Sequence, residues 1–365
     1  LVARLFNSGV NSTTPVTAIS EAPVGVANAD IALVAKGTGA TLAQVPDGTA
    51  AGGNKRGIAA TDWQKSRTIN TYVASGNYST VGGGQNNTAS ATLATIGGGD
   101  SNTSSGTRST IAGGNGNTAS SSYSFVGGGQ SNTAQTNTHA TVCGGNGNTA
   151  SGQYSFVGGG YLNTASATWS IVAGGISNLT TGVGAAIAGG QNNTASGSRS
   201  FVAGGTYGNT RSISGYHVFP ACNAPIAGST GVTQSALLLL GRQTTDATAT
   251  VLTSDTSAAS TTNQVILPNN SAYSFSGEVI AGVTGAGDTA RWTINGAIKR
   301  GANAASTTMV GTATVTMTHN DAGAAAWLVA VTADTTNGGI KVEVTGAAAT
   351  TIRWVCRIST VEMTF

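Results

Sequence analysis

Between residues 81 and 215 a fifteen-residue block returns nine times, and nothing else in the chain restricts its folding as severely. Val81, Ile96, Ile111, Val126, Val142, Val157, Val172, Ile187 and Val202 each stand before a Gly-rich triplet, fifteen residues apart except for sixteen between Val126 and Val142. The unit reads V/I-G/A-G-G-x-x-N-T-A-S-x-x-x-S-x, as in Val81–Thr95 (VGGGQNNTASATLAT) and Ile187–Phe201 (IAGGQNNTASGSRSF). Fifteen residues are too few for a helical repeat, and glycine at this density makes a poor helix. The length suits one coil of a solenoid with two short strands and tight corners, the paired glycines taking positive φ. Successive coils then hydrogen-bond along the axis at about 4.7–4.9 Å each, for a shaft of roughly 40 Å.

Register within the block sorts its residues into columns. The seventh position is Asn87, Asn102, Asn117, Asn132, Asn148, Asn163, Asn178 and Asn193, which stacking places above one another as a structural amide ladder. Small residues at the ninth position (Ala89, Ala119, Ala134, Ala150, Ala165, Ala195) fit a narrow interior. Phe125–Val126, Phe156–Val157, Ile171–Val172 and Phe201–Val202 are apolar pairs, and neighbouring strand residues face opposite ways. If Val fills its own coil, the Phe and Ile column faces outward, an apolar stripe that soluble monomers rarely tolerate. Cover by identical chains around a threefold axis resolves this, so a homotrimer is expected. The thirteenth position varies (Leu93, Arg108, Tyr123, Tyr154, Trp169, Arg199) and reads as outward. Tyr123, Tyr154 and Trp169 are candidates for a surface-binding role, stacking on a sugar or covering a neighbouring chain.

Composition agrees with an ordered repeat. Glycine is 54 of 365 residues and charged residues are 8%, but the net charge is only +3 and the apolar fraction 39%, unlike a disordered segment. So small an imbalance offers no clustered basic face for nucleic acid. No apolar run approaches the roughly 18–20 residues of a membrane helix, and membrane insertion is not expected. The start at Leu1 reads as a fragment or processed product. Cys143, Cys222 and Cys356 are odd in number and far apart, without metal or disulfide spacing, and read as buried free thiols.

Along the chain, residues 1–65 read as a β-rich attachment region, with strands at Ile31–Ala35 and Thr41–Val45 and a turn at Pro46–Gly48. Residues 66–80 lead in, 81–215 form the roll, and 216–231 connect it onward. From 232 to 365 strict alternation sets in. Tyr273, Phe275 and Val279 share one face, as do Ile352, Trp354, Cys356 and Ile358, opposite Arg353, Val355 and Arg357. With further runs at Thr312–Thr318, Trp327–Thr332 and Ile340–Val344, this fits an antiparallel sandwich of jelly-roll type. The expected fold class is therefore all-β, a trimeric parallel β-roll or β-helix followed by a β-sandwich tip, with Trp292 and Trp327 in its core.

The run GGGQNNTAS (Gly82–Ser90) and TIGGGDSNTSS (Thr95–Ser105) resembles the Gly/Asn/Ser-rich repeats of bacteriophage tail fibres, and more loosely the β-roll heads of trimeric autotransporter adhesins. Asp30–Ala43 with GGNKRGIAATDWQ (Gly52–Gln64) looks like the segment preceding such repeats. Tyr273–Arg300 and Ala325–Arg357 look like a domain that recurs at fibre ends. The resemblance implies a homotrimeric, extracellular virion fibre. Its N-terminal end would meet other tail or baseplate proteins, and its distal parts a bacterial surface glycan or protein. One departure from that pattern is the lack of a recognisable virion-anchoring module at the start of the sequence, so the attachment end is expected to be missing from it.

Chemistry is sparse. Glycan cleavage needs two carboxylates about 5–10 Å apart, and Asp100 is the single acidic residue between Val81 and Tyr216. The roll is not expected to be a depolymerase. Further on, Asp288 with Arg291 and Lys341 with Glu343 read as surface pairs. His139, His217 and His319 are scattered singly and read as solvated, with no metal, cofactor or catalytic residue expected. The alternatives to a receptor-binding fibre are a bacterial trimeric surface adhesin, a capsule-degrading tailspike, and ice binding by the Thr88–Thr164 column, which Leu179 interrupts.

Overall fold

The computed structural model describes residues 40–365 except 45, 223, 224 and 286, so the strand expected over Ile31–Ala35 lies outside the described residues. The fold is all-β: a parallel β-solenoid of about 11 coils, followed by antiparallel sheets.

Each repeat contributes two strands of two residues. Phe125–Val126 pairs in parallel with Thr110–Ile111 and Thr141–Val142, and Thr133–Ala134 with Thr118–Ala119 and Thr149–Ala150. Single parallel bridges at the fifth position, from Gln85 through Asp100 and Asn115 to Thr206, add a third line of backbone bonds. Inside lie the Val/Ile of the first position and the Ala of the ninth, with no solvent exposure. Between these faces the corner glycines earn their place. Gly99, at φ 94°, sits so close to the next coil that a Cβ would fall on the Gly114 carbonyl oxygen.

The parallel ladder starts upstream of Val81. Thr41 pairs with Thr61 and Thr61 with Thr80, making two longer coils. Asp62 takes the inward position that Val81 takes above it, fully buried. Its carboxylate accepts from Arg56 Nε at 2.7 Å and Arg67 Nη2 at 3.3 Å. The GGNKRG segment thus supplies a buried counter-ion, where unpaired charge would be very costly.

The segment read as a connector is structural. His217–Pro220 runs parallel to Phe201–Val202 on one side and antiparallel to Thr233–Thr244 on the other. Here the roll's sheet changes from parallel to antiparallel without a break. It continues through Ile352–Thr364, Ser271–Val283, Thr289–Arg300 and Thr314–Asn320. A smaller antiparallel sheet of Thr250–Val251, Val265–Ile266, Leu328–Asp334 and Gly339–Thr345 packs on its inner face. Trp354 lies between Trp292 and Trp327, with ring centroids 5.6 and 5.8 Å apart. One apolar cluster runs from Ile187 and Val202 of the last coils to Leu238, Val279 and Ile358, so roll and tip share a core.

At the joint, the buried Glu362 carboxylate accepts from Tyr216 Oη, from Thr360 Oγ1 at 2.7 Å and from Gln234 Nε2 at 2.8 Å, and pairs with Arg211 at 3.1 Å. Arg211 also lies over the Tyr273 ring at 5.6 Å.

Candidate functional site

The asparagine column lies inside the wall. Each Oδ1 accepts the backbone N–H of the next Asn, as from Asn87 to Asn102 at 3.0 Å and from Asn178 to Asn193 at 3.0 Å. Each Nδ2 donates to glycine carbonyls of its own coil and the next, for Asn163 to Gly159 and Gly175 at 2.9 and 2.8 Å. Asn102, Asn117 and Asn163 also donate to the Asn below at 3.1–3.2 Å. The ladder is therefore mainly amide to backbone. It is closed below by Gln64, which accepts from Asn87 N–H at 2.9 Å and donates to Asn87 O at 2.9 Å, and above by Gly208 N–H. With every polar atom engaged and buried, this column has nothing left to offer a ligand.

The thirteenth position forms an exposed corner whose residues adopt the left-handed conformation: Leu93, Arg108, Tyr123, Tyr154, Trp169 and Arg199 at φ 53–60°. Bulky side chains seldom accept this region, and each costs roughly 1 kcal/mol there. Stacked coils bring the corners into a vertical column. The His139 imidazole lies between the Tyr123 and Tyr154 rings at 4.9 and 4.8 Å, and Arg108 lies over Tyr123 at 5.4 Å while donating to its hydroxyl at 2.8 Å. Tyr123 and Tyr154 thus turn faces toward His139 and leave edges and hydroxyls to solvent. Trp169 stands beyond the stack, 59% exposed. His139, read from sequence as a lone solvated residue, belongs to this column. The signal was its offset: the sixteen-residue coil shifts the corner by one.

A second surface is the outer face of the long sheet. Phe125, Ile171, Phe219, Leu239, Ile280, Val355 and Val361 are exposed, and the strand pairings carry this face from the roll into the tip unbroken. Cys143 shares it, two residues beyond the outward Thr141.

On the tip, an open groove of about 640 Å³ is lined by Ile280, Arg291, Thr318, His319 and Asp321 among others. Its lining carboxylate is engaged. Asp321 accepts from Thr289 N–H and Oγ1, both at 2.9 Å, which hold it below the usual carboxylate range. In the cleft on the other side of Ile280 and Arg291, Glu278 is lowered by Arg291, 2.6 Å away, with Arg357 at 3.5 Å. Arg291 thus pairs with Glu278 rather than with Asp288, as expected from sequence, whereas Lys341 and Glu343 do pair at 3.3 Å. A general acid needs a raised carboxyl pKa, the opposite of both shifts. Among the described residues no cluster of three His, Cys, Asp or Glu side chains is placed to hold a metal ion, and no helix is long and apolar enough to cross a membrane.

No protein-family model matches the chain, and no curated protein matches it. Among solved structures, the crystal structure of the Acinetobacter baumannii phage AM24 tailspike protein matches over 88% of this chain and 69% of its own, at 7% identity and a TM-score of 0.24. Superposition this loose carries no argument about fold or activity.

Proposed function

We propose that the chain is a receptor-binding fibre of a phage or phage-like particle, assembled as a homotrimer and attaching to a bacterial surface glycan without cleaving it. One observation carries the reading: the outer face of a single unbroken sheet exposes Phe125 and Ile171 in the roll and Phe219, Leu239, Ile280, Val355 and Val361 toward and across the tip. Soluble monomers rarely leave contiguous apolar patches above a few hundred Å² in water. Two sister chains meeting this face along its length would remove it and set three equivalent corner columns on the outside. Weak contacts at three such columns gain in avidity by about 10²–10⁴. The engaged carboxylates Asp321 and Glu278 of the tip favour attachment over cleavage, and the near-neutral balance disfavours nucleic acid as a partner. Attachment to other tail or baseplate proteins would fall to the N-terminal end.

Light scattering of the full chain tests the assembly. The expected mass is three times the 35.7 kDa of one chain. A stable monomer would overturn the reading, and release of reducing ends from a bound capsule would replace it with a depolymerase.

A further inference from the structure

The corner column is interrupted once. From Arg108 to Trp169 every coil supplies a side chain, but the next rung is Gly184 and the one after it Arg199. Gly184 keeps the same corner geometry, φ 66° against 57° for Trp169 and 53° for Arg199. Backbone bonds from Gly184 N–H to Thr168 O (2.9 Å) and from Arg199 N–H to Val183 O (2.8 Å) hold the three corners in line. The result is a notch one rung tall, with an indole on one side and an arginine on the other. Val183, itself exposed, stands beside Gly184. Two coil rises of about 4.7–4.9 Å each separate the flanking backbones, which leaves room for one six-membered ring between them.

The two walls specify what fits. Trp169 is 59% exposed and stacks with no other aromatic ring, unlike Tyr123, His139 and Tyr154 below it. An indole face takes the C–H face of a sugar. Arg199 joins none of the ion pairs among the described residues. The one carboxylate between Val81 and Tyr216, Asp100, is far down the shaft and already bonded by Ser101 and Asn86. A guanidinium without a counter-ion at the end of a stack recruits a carboxylate, which it holds with two parallel N–H bonds. By contrast Arg108 is committed to Tyr123.

We infer that the notch at Gly184, between Trp169 and Arg199, binds one uronic acid residue of an acidic surface polysaccharide, the sugar ring completing the interrupted stack. The polymer then continues along the shaft, past the exposed Tyr154 and Tyr123 two coils apart. This inference rests on the reading of the chain as a glycan-binding fibre and names the ligand class of that surface.

The experiment uses the intact chain with polygalacturonate and alginate oligosaccharides against neutral dextran oligosaccharides, read by calorimetry and ligand-observed NMR. Three variants are compared with wild type. Gly184→Tyr fills the notch with the side chain that the equivalent corners at Tyr123 and Tyr154 already carry, and a Cβ at Gly184 meets Arg199 Cγ at an ordinary 3.6 Å. Trp169→Ala removes the stacking wall and Arg199→Gln the charge. Binding of the acidic oligosaccharides, weakened at least tenfold in each variant while circular dichroism shows the coils still folded at the assay temperature, supports the site. Equal binding of dextran, unaltered binding by Gly184→Tyr, or no binding of either uronate overturns it. Adsorption of the labelled chain to a panel of capsulated bacteria separates the two claims. If wild type and Gly184→Tyr adsorb equally, the notch is wrong and the fibre reading stands; if neither adsorbs to any strain, the fibre reading fails.

Discussion

Asn132 Oδ1 accepts the backbone N–H of Asn148 at 3.0 Å, although sixteen residues separate them, as closely as Asn102 meets Asn117 at 3.0 Å across fifteen. The extra residue leaves the ladder untouched because it is taken up at the corner, where Thr136 and His139 have φ of 71° and 64°. The amide column therefore holds the coil register, and the corners absorb irregularity. Replacing Asn132 by Ala orphans the Asn148 N–H and the Gly128 carbonyl and takes one of two donors from the Gly145 carbonyl, which keeps the Gln130 N–H. Buried unsatisfied groups cost about 1–3 kcal/mol each, so a loss on the order of 3 kcal/mol is expected in urea unfolding. Asn137→Ala, at the exposed corner, should change stability by less than about 1 kcal/mol. Equal effects at the two sites would refute the ladder's role.

Gly98 and Gly99 are neighbours with opposite tolerances. A Cβ on Gly98 meets nothing within 4 Å, whereas on Gly99, at φ 94°, it strikes the Gly114 carbonyl and crowds Asn102 Nδ2. Gly98→Ala should leave the melting temperature within error. Gly99→Ala combines left-handed strain with a backbone contact that cannot yield, for roughly 3 kcal/mol or more. Thermal unfolding by circular dichroism of the two variants makes the comparison, and a destabilised Gly98→Ala protein would contradict the coil geometry.

The roll was legible because its constraints repeat: an Asn every fifteen residues, beside Gly where only Gly fits, reports the coil directly. The coils upstream of Val81 were not, since they run to 20 and 19 residues between Thr41, Thr61 and Thr80 and put Asp62 where the pattern asks for Val. Proline made His217–Pro220 look like a linker, yet Pro220 sits at the end of its strand, where a missing N–H is tolerated. The corner site was half visible. Variation at the thirteenth position announced an exposed surface, but Tyr, Trp and Arg give no hint of left-handed backbone, and a stack with His139 depends on a one-residue shift. Tip strands were readable from alternation, whereas the partners of Arg291 depended on cross-strand register. Glu278 is brought opposite Thr293 and Arg357, while Asp288 is nearer only in sequence.

The joint between roll and tip should weaken in alkali. Burial raises the Tyr216 and Tyr273 hydroxyls well above the ordinary tyrosine value, and the Glu362 carboxylate adds to it. In the unfolded chain both titrate near pH 10. The folded state therefore holds more protons above that pH. The stability that these groups contribute is complete below about pH 10 and is lost as pH rises toward their folded values. Urea midpoints should fall steadily above pH 9.5, with Tyr216→Phe showing a shallower fall. That variant should also start lower at pH 7, by about 2 kcal/mol, because it gives up a hydrogen bond to a charged partner. A wild-type midpoint flat from pH 9 to 11 would contradict the buried network.

The three thiols report on assembly more directly than mass does. Burial pushes Cys356 up to about 12, and thiolate is the reactive form, so a polar disulfide reagent at pH 8 should reach it only after unfolding. Cys222 is exposed beside the joint and should react at once. Cys143 is also exposed on the single chain, but on the outer face that carries Phe125 and Ile171. In a trimer closed along that face it becomes the slow thiol, and its rate should rise at least tenfold when mild denaturant separates the chains while the coils stay folded. Two fast thiols in the native protein would leave the apolar face uncovered and remove the ground for a trimer built on it. One fast thiol, with Cys143 released ahead of Cys356, places the chain-to-chain contact on the face of the roll that Cys143 shares with Phe125 and Ile171.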